Sequence, residues 1–457
     1  MKSLTRKEKS KIKNQISKLR NHRSAMMNSS ILIFLTLLLI LFVLPAPVSA
    51  LAAESWKEFA VWPTTDDQES PDIDGDIVVW QQFVEEYQDY DIYVADMNNP
   101  DDSLAVIIGD ANDQMSPAVF APFDSAQGEG LHAERRRGIV VWQDYVIWEG
   151  SGDWDIRASD LSTSLKAGDS EREQPVMFAV SNIFGNDEQS PAIHGNIVVW
   201  QDGAEGDYNI FGADITHLES PAEFAVADFE RDQQRPAVYR NTVVWQDSYF
   251  GDEDILAADI WQRNKPAEFG VSLDEFDQQH PAVWGDIVVW ADNYFGDTDI
   301  YAAKWHGLPA RGIHGQDGHA TGMDMPLPVE FAVTANESEQ TNPDIDRNIV
   351  VWQDKRNGDW DIYGYNLTTR REFQITDEPH DQTNPAISGN TVVWEDNRDG
   401  NLQIFAIVLD GPEVARCTSK LMGDVNGDCK VDFIDYTLMA SQWLECNLEP
   451  EEACLPF

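Results

Sequence analysis

Basic residues are scarce. Only 32 Lys and Arg stand against 80 Asp and Glu in 457 residues, and nine of those bases lie in the first 50 residues with a single acid. The remainder therefore carries 23 bases and 79 acids, a net charge of −56. Nucleic-acid backbones and anionic membranes gain no counterion release from so acidic a body, which excludes nucleic-acid binding as a main role. Long apolar runs are also lacking: one of 14 residues, 31–44, is too short to span a bilayer comfortably as a helix, and no other stretch could cross one. Cysteine is confined to four positions in the last 41 residues. No segment keeps a 3.6-residue apolar period over several turns, which excludes helical solenoids. No nucleophile elbow, P-loop or dinucleotide fingerprint occurs. Carboxylates are too abundant for a catalytic pair to be chosen by composition, and a glycosidase-type pair would have to be recognised by its separation in space.

What is present begins with a leader. Residues 1–30 are polar and basic, and the apolar run is followed by Pro-Ala-Pro-Val-Ser-Ala, whose small residues Val48, Ser49 and Ala50 suit a signal peptidase. Residues 1–50 read as a secretory signal, cleaved after Ala50 or Ala52, and an uncleaved anchor is the rival reading. The expectation is an exported protein, secreted or at the cell surface, without stable membrane insertion after cleavage.

Seven repeats dominate the rest. The string Val-Val-Trp recurs with its Trp at 80, 142, 200, 245, 290, 352 and 394, each preceded by a proline at 71, 117, 191, 236, 281, 343 and 385. The base period is about 45 residues with insertions, in the range of propeller blades. Each unit holds four short strand patterns: Glu-Phe-Ala-Val, a Pro-Ala-Val segment, Thr-Val-Val-Trp-Gln and Asp-Ile-Leu-Ala-Ala, with Asn, Asp and Gly between them. Ile77, Val78, Val79 and Trp80 are apolar at consecutive positions, so that strand needs cover on both faces. Radially stacked blades supply such cover. The predicted fold is all-β, a seven-bladed β-propeller of four-stranded blades over 51–411. Trp80 and its six equivalents read as blade-to-blade packing, and Asp247, Asp254, Asp292 and Asp299 as acceptors for turn amides.

The pattern P-x-I-x-G-N-x-V-V-W-Q-D-x-R-x-G-x-x-D-I-Y resembles the blades of TolB-like β-propellers, over residues 57 to about 411. That resemblance implies the fold and says little of function, since propellers host both binding and catalysis. The seventh repeat ends at 404–409 with no following Glu-Phe strand, whereas one such strand (58–61) precedes the first repeat. Residues 57–62 are therefore expected to form the outer strand of the last blade and close the ring. By strand alternation, the insertions 120–138, 162–175 and 303–328 leave from one face. The short acidic loops 64–69, 186–189, 247–254 and 292–299 lie on the other, where a ring of acids could collect cations or basic partners. The third insertion carries His306, His314, Asp317, His319 and Asp324. His with carboxylate is metal-ligand chemistry, but the surrounding glycines point to a mobile loop. Arg135, Arg136 and Arg137 form the one basic cluster of the propeller, suited to nearby acids or an anionic ligand.

Composition changes after Gly411. In GDVNGDCKVDFIDYTLMASQWL, Asp424, Asn426 and Asp428 alternate, followed by Lys430, Asp432 and Asp435. Alternating oxygen ligands closed by a carboxylate at the twelfth position suit Ca2+, with Lys430 contributing its backbone carbonyl and Asp432 acting directly or through water. A helix is expected over 433–444. Residues 412–457 thus resemble a dockerin repeat, which implies a small helical calcium-loop module and a cohesin-like protein or cell-surface scaffold as partner. The family pattern has two loops and only one is present, and Cys429 replaces the glycine expected at the sixth loop position. Cys417, Cys429, Cys446 and Cys454 could form two disulfides in any of three pairings, with a zinc site as a minor alternative. The expected function is an exported propeller that binds a protein or polysaccharide and is tethered through calcium. The rival is a polysaccharide hydrolase or lyase recruited by the same module.

Overall fold

The computed structural model describes residues 56–410, apart from 98–105, 109–111, 122–137, 149–150, 162–175, 182–185, 204–205, 230, 249–250, 295, 305–327 and 335. The leader, the calcium-loop segment with its four cysteines, Arg135–Arg137 and the three loop histidines lie outside the described residues.

Among the described residues, twenty-eight strands form seven antiparallel sheets of four. Each sheet is a blade, and its inner strand has seven residues: Gln68–Asp74, Gln114–Phe120, Glu188–His194, Gln233–Tyr239, Gln278–Trp284, Gln340–Asp346 and Gln382–Ser388 in blades 1 to 7. Neighbouring inner strands touch in a closed cycle, blade 7 meeting blade 1, so they surround the axis. The sequence repeat straddles two blades, because its Glu-Phe-Ala-Val strand is the outer strand of the preceding one. Ala222–Ala227, for example, pairs with Asn209–Asp214 of blade 3.

The second strands explain why these residues build a propeller. Their side chains alternate between the two faces of the blade, and both faces are covered. Ile197 and Val199 of blade 3 pack with Val243 and Trp245 of blade 4, while Val198 and Trp200 pack with Ile139 and Val141 of blade 2. The same alternation recurs at all seven interfaces, including that of Val78 and Trp80 with Val393 of the last blade. All seven tryptophans are buried. Four of them donate the indole N–H to the carboxylate two residues on, Trp245 to Asp247 and Trp290 to Asp292 at 3.3 Å, Trp352 to Asp354 and Trp394 to Asp396 at 3.2 Å. The other oxygen of Asp292, Asp354 and Asp396 accepts a turn amide at 2.9 Å. Asp247 and Asp292, expected as turn acceptors, thus also hold the packing tryptophans, whereas Asp299 Oδ1 accepts from Asn336 N at 3.3 Å, in the loop after the outer strand.

Ring closure follows the strand count. Phe59–Ala60 pairs with the third strand of blade 7, with Phe59 opposite Ala406 and Ala60 opposite Phe405, and Val61 N donates to Ile404 O at 2.8 Å. Arg398 fastens this strand: it bonds Glu58 at 2.7 Å and Asp396 at 2.5 Å, and its guanidinium lies over Phe405. The strand ends also confirm the division of loops. The connections between 120 and 139, 160 and 176, and 304 and 329 all leave from the end where inner strands finish, and the acidic turns lie at the end where inner strands begin.

Candidate functional site: the axial channel

Two rings of side chains surround the axis, one near each end of the inner strands. The first is set by the backbone. In every blade the third inner-strand residue has a positive φ: Ser70, Ser116, Ser190, Arg235, His280, Asn342 and Asn384, all between 49° and 53°. The register of each inner strand shifts at this point, from the second residue to the fifth, which marks a bulge. The repeated proline follows it, where the ladder needs no N–H. The amide of the bulged residue is taken by the second strand of the preceding blade. Ser70 N donates to Glu395 Oε1 at 2.8 Å, Ser116 N to Gln81 Oε1 at 2.8 Å, Arg235 N to Gln201 Oε1 at 3.0 Å and Asn384 N to Gln353 Oε1 at 2.9 Å. Blade 5 has Ala291 where the others carry Gln or Glu, and there Asn342 instead reaches forward, donating Nδ2 to Asn384 Oδ1 at 2.6 Å. Thr341 Oγ1 lies 3.4 Å from His280 Nδ1. The ring is thus mostly hydroxyl and amide, with Arg235 and His280 side by side in blades 4 and 5. Burial is the main cause that lowers the Arg235 pKa, and burial with the nearby Arg235 charge pushes His280 down to about 4, so its ring is neutral.

The second ring is the last residue of each inner strand, and it divides into two arcs. Phe120, His194, Tyr239 and Trp284 meet in sequence across blades 2 to 5, with centroids 4.9, 4.5 and 5.3 Å apart. Asp346, Ser388 and Asp74 complete the circle. The acidic arc clasps blades together. Asp72 Oδ2 accepts from Val119 N, Asp74 Oδ2 from Ala121 N and Asp344 Oδ2 from Ile387 N, each at 2.8 Å, and Asp346 Oδ2 accepts from Gly389 N at 2.5 Å. Burial pushes Asp72 up to about 7 and Asp74 and Asp344 up to about 6, opposed by those amide bonds and reinforced by the neighbouring carboxylates. Such values would suit a general acid. Each of these groups is nonetheless held by a backbone amide of the next blade, which is a structural task.

No family model and no curated protein matches the chain. Solved structures match it in fold. The β-propeller domain of the Trilobed protease from Pyrococcus furiosus aligns with a TM-score of 0.51 and 12% identity, over 79% of this chain and 100% of that one. A puromycin-hydrolyzing peptidase of Mycobacterium tuberculosis aligns at 0.49 and 12%, over 75% of this chain, and TolB from Acinetobacter baumannii at 0.40 and 11%, over 65%. This chain spans 52% of the peptidase's length and 62% of that of TolB. The propeller fold is shared. At these identities nothing further about activity follows.

None of the residues singled out in the sequence for metal binding falls in the described part. Asp424, Asn426, Asp428, Lys430, Asp432 and Asp435 lie outside it, as do His306, His314 and His319. Among the described residues no group of His, Cys and carboxylates could hold a metal ion. The axial rings were not singled out in the sequence. Their signal was available: the residue before each repeated proline is polar in all seven copies and differs in kind from blade to blade.

Proposed function

We propose that the protein is an exported binding propeller that takes a polysaccharide or protein ligand at its axial channel and is tethered by residues 412–457 through calcium to a cohesin-like protein or surface scaffold. One observation carries the channel reading. A non-glycine residue in the left-handed region costs about 1 kcal/mol relative to glycine, yet none of the seven bulged positions is glycine. At Ser70, Ser116 and Ser190 the backbone amide makes the inter-blade bond, so the side chain is not needed for it. Ser70, Ser116 and Ser190 make no described hydrogen bond through their hydroxyls, which leaves them for a ligand. The tether reading is supported by the spacing of Asp424, Asn426, Asp428, Lys430, Asp432 and Asp435, and export by the leader 1–50.

The rival reading, an enzyme on extracellular polysaccharide, draws on the raised carboxyls of Asp72 and Asp344. Their commitment to backbone amides of the next blade weighs against it. Incubating the full chain with calcium and a panel of polysaccharides separates the two. Retention of the protein on immobilised ligand, weakened by Ser116→Ala together with Asn384→Ala and unaccompanied by new reducing ends, is the expected result. Steady release of reducing ends, lost in Asp72→Asn, would replace the binding reading with the catalytic one.

A further inference from the structure

Arg235 is the only full charge in the bulged ring, and it stands in a body of large negative charge without a described ion pair. Glu253, the acid whose charge acts on Arg235, is hydrogen-bonded elsewhere: its Oε2 accepts from Gln246 Nε2 at 2.8 Å and it also takes a hydrogen bond from Gln279. The Arg235 amide is spent on Gln201, so the backbone is fixed while the guanidinium keeps all five N–H donors. His280, one blade on, presents a neutral imidazole beside it. Thr341 Oγ1 lies beside its Nδ1, and a neutral imidazole carries one N–H, a donor without a second charge.

We infer that the corner made by Arg235 and His280 binds the carboxylate of an acidic saccharide. The inference rests on the reading of the channel as the ligand site and names the ligand's chemistry. A planar guanidinium pairs with a carboxylate through two parallel N–H bonds. The rest of the ring decides for a sugar. Three serine hydroxyls and two asparagine amides around one channel both donate and accept, as a polyhydroxylated chain requires. At the other end of the same strands, roughly 13 Å away at 3.3 Å per residue, the arc Phe120, His194, Tyr239 and Trp284 offers ring faces and edges to further pyranose units. Long-range repulsion from the acidic body opposes any anion, so this contact supplies selectivity for the carboxylate more than affinity.

Calorimetry on the full chain with calcium tests this, using uronate trisaccharides of manno and galacto configuration, their methyl esters, the neutral trihexoses and N-acetyl triglutamate. At least one uronate trimer should bind ten-fold or more tightly than its ester and neutral counterpart. Arg235→Gln should abolish that preference while leaving the melting temperature unchanged, and Arg235→Lys should restore part of it. Equal binding of acid and ester, or a preference that survives Arg235→Gln, overturns the carboxylate corner and leaves the channel reading standing. Triglutamate binding as tightly as the uronates overturns the sugar class. If no saccharide in any form binds, the inference falls and the channel reading keeps only its protein ligand.

Discussion

The first residue of the inner strand is glutamine in six blades and Glu188 in blade 3, fully buried in every case. The glutamines donate Nε2 to the carbonyl of the approaching loop, as Gln382 does to His380 O at 2.8 Å and Gln68 to Trp62 O at 2.9 Å. An ionised glutamate has no proton to give. Among the described residues Glu188 has one side-chain bond, from the Ser181 hydroxyl to Oε2, while Oε1 has no partner there. Burial, with Asp155 and Asp202 nearby, therefore pushes its carboxyl up to about 8. Because the folded value lies above the unfolded one, the protonated form is favoured by folding. The stabilisation is complete below about 4.5 and is lost as pH rises through about 8. Glu188→Gln supplies the donor at every pH. Its melting temperature should match that of the parent protein at pH 5 and exceed it by roughly 4 °C or more at pH 9, as followed by circular dichroism. An equal gain at both values would mean that packing, not titration, sets the difference.

At the level of the strand, legibility depended on whether a side chain declares its own environment. Ile77, Val78, Val79 and Trp80 do so, since four consecutive apolar residues in a strand demand two covered faces, and the interfaces found are those that pattern implies. The Asp of Trp-Gln-Asp was read as a turn acceptor, and the structure adds its bond to the indole. The bulge before each proline was not legible, because the sign of φ is not written in residue types such as Ser, Arg or His, and a residue before proline is ordinarily extended. The clasping roles of Asp72, Asp74, Asp344 and Asp346 were hidden for a related reason: among 80 acids, only the fold shows that these four reach the next blade. Ring closure, by contrast, followed from counting strands. The strand Phe59–Ala60 is short, but Arg398 and Glu58 and the contact of Trp56 with Phe373 add to it. Deleting residues 51–63 removes all three and leaves the third strand of blade 7 as an open edge. The truncated protein should melt several degrees lower, and an unchanged melting temperature would show that the last blade does not depend on this strand.

For the whole molecule, charge separates the two tasks proposed for it. The body is strongly acidic, its described acids are distributed among turns, tryptophan anchors and blade clasps, and the described contacts that close the ring join residues 56–97 to 386–406. The calcium loop proposed in 412–457 is separate in sequence from the strands that close the ring. Calcium bound there should therefore change the tether and not the propeller. Asp424, Asn426, Asp428, Asp432 and Asp435 bring four carboxyls and an amide into one twelve-residue span, and their convergence needs a cation to offset the repulsion. Asp424→Ala removes the first ligand and Asp435→Ala the closing carboxylate. Calorimetric titration of the full chain should show calcium binding that either substitution weakens by a hundred-fold or more. The main melting transition, that of the propeller, should stay within about a degree in both variants and in excess chelator. Release from an immobilised partner on chelation, with the blades still folded, is the corresponding binding result. A flat titration up to millimolar calcium would remove the ligand assignment and the tether that depends on it. A propeller transition that falls with chelation would mean that the ion serves the ring itself.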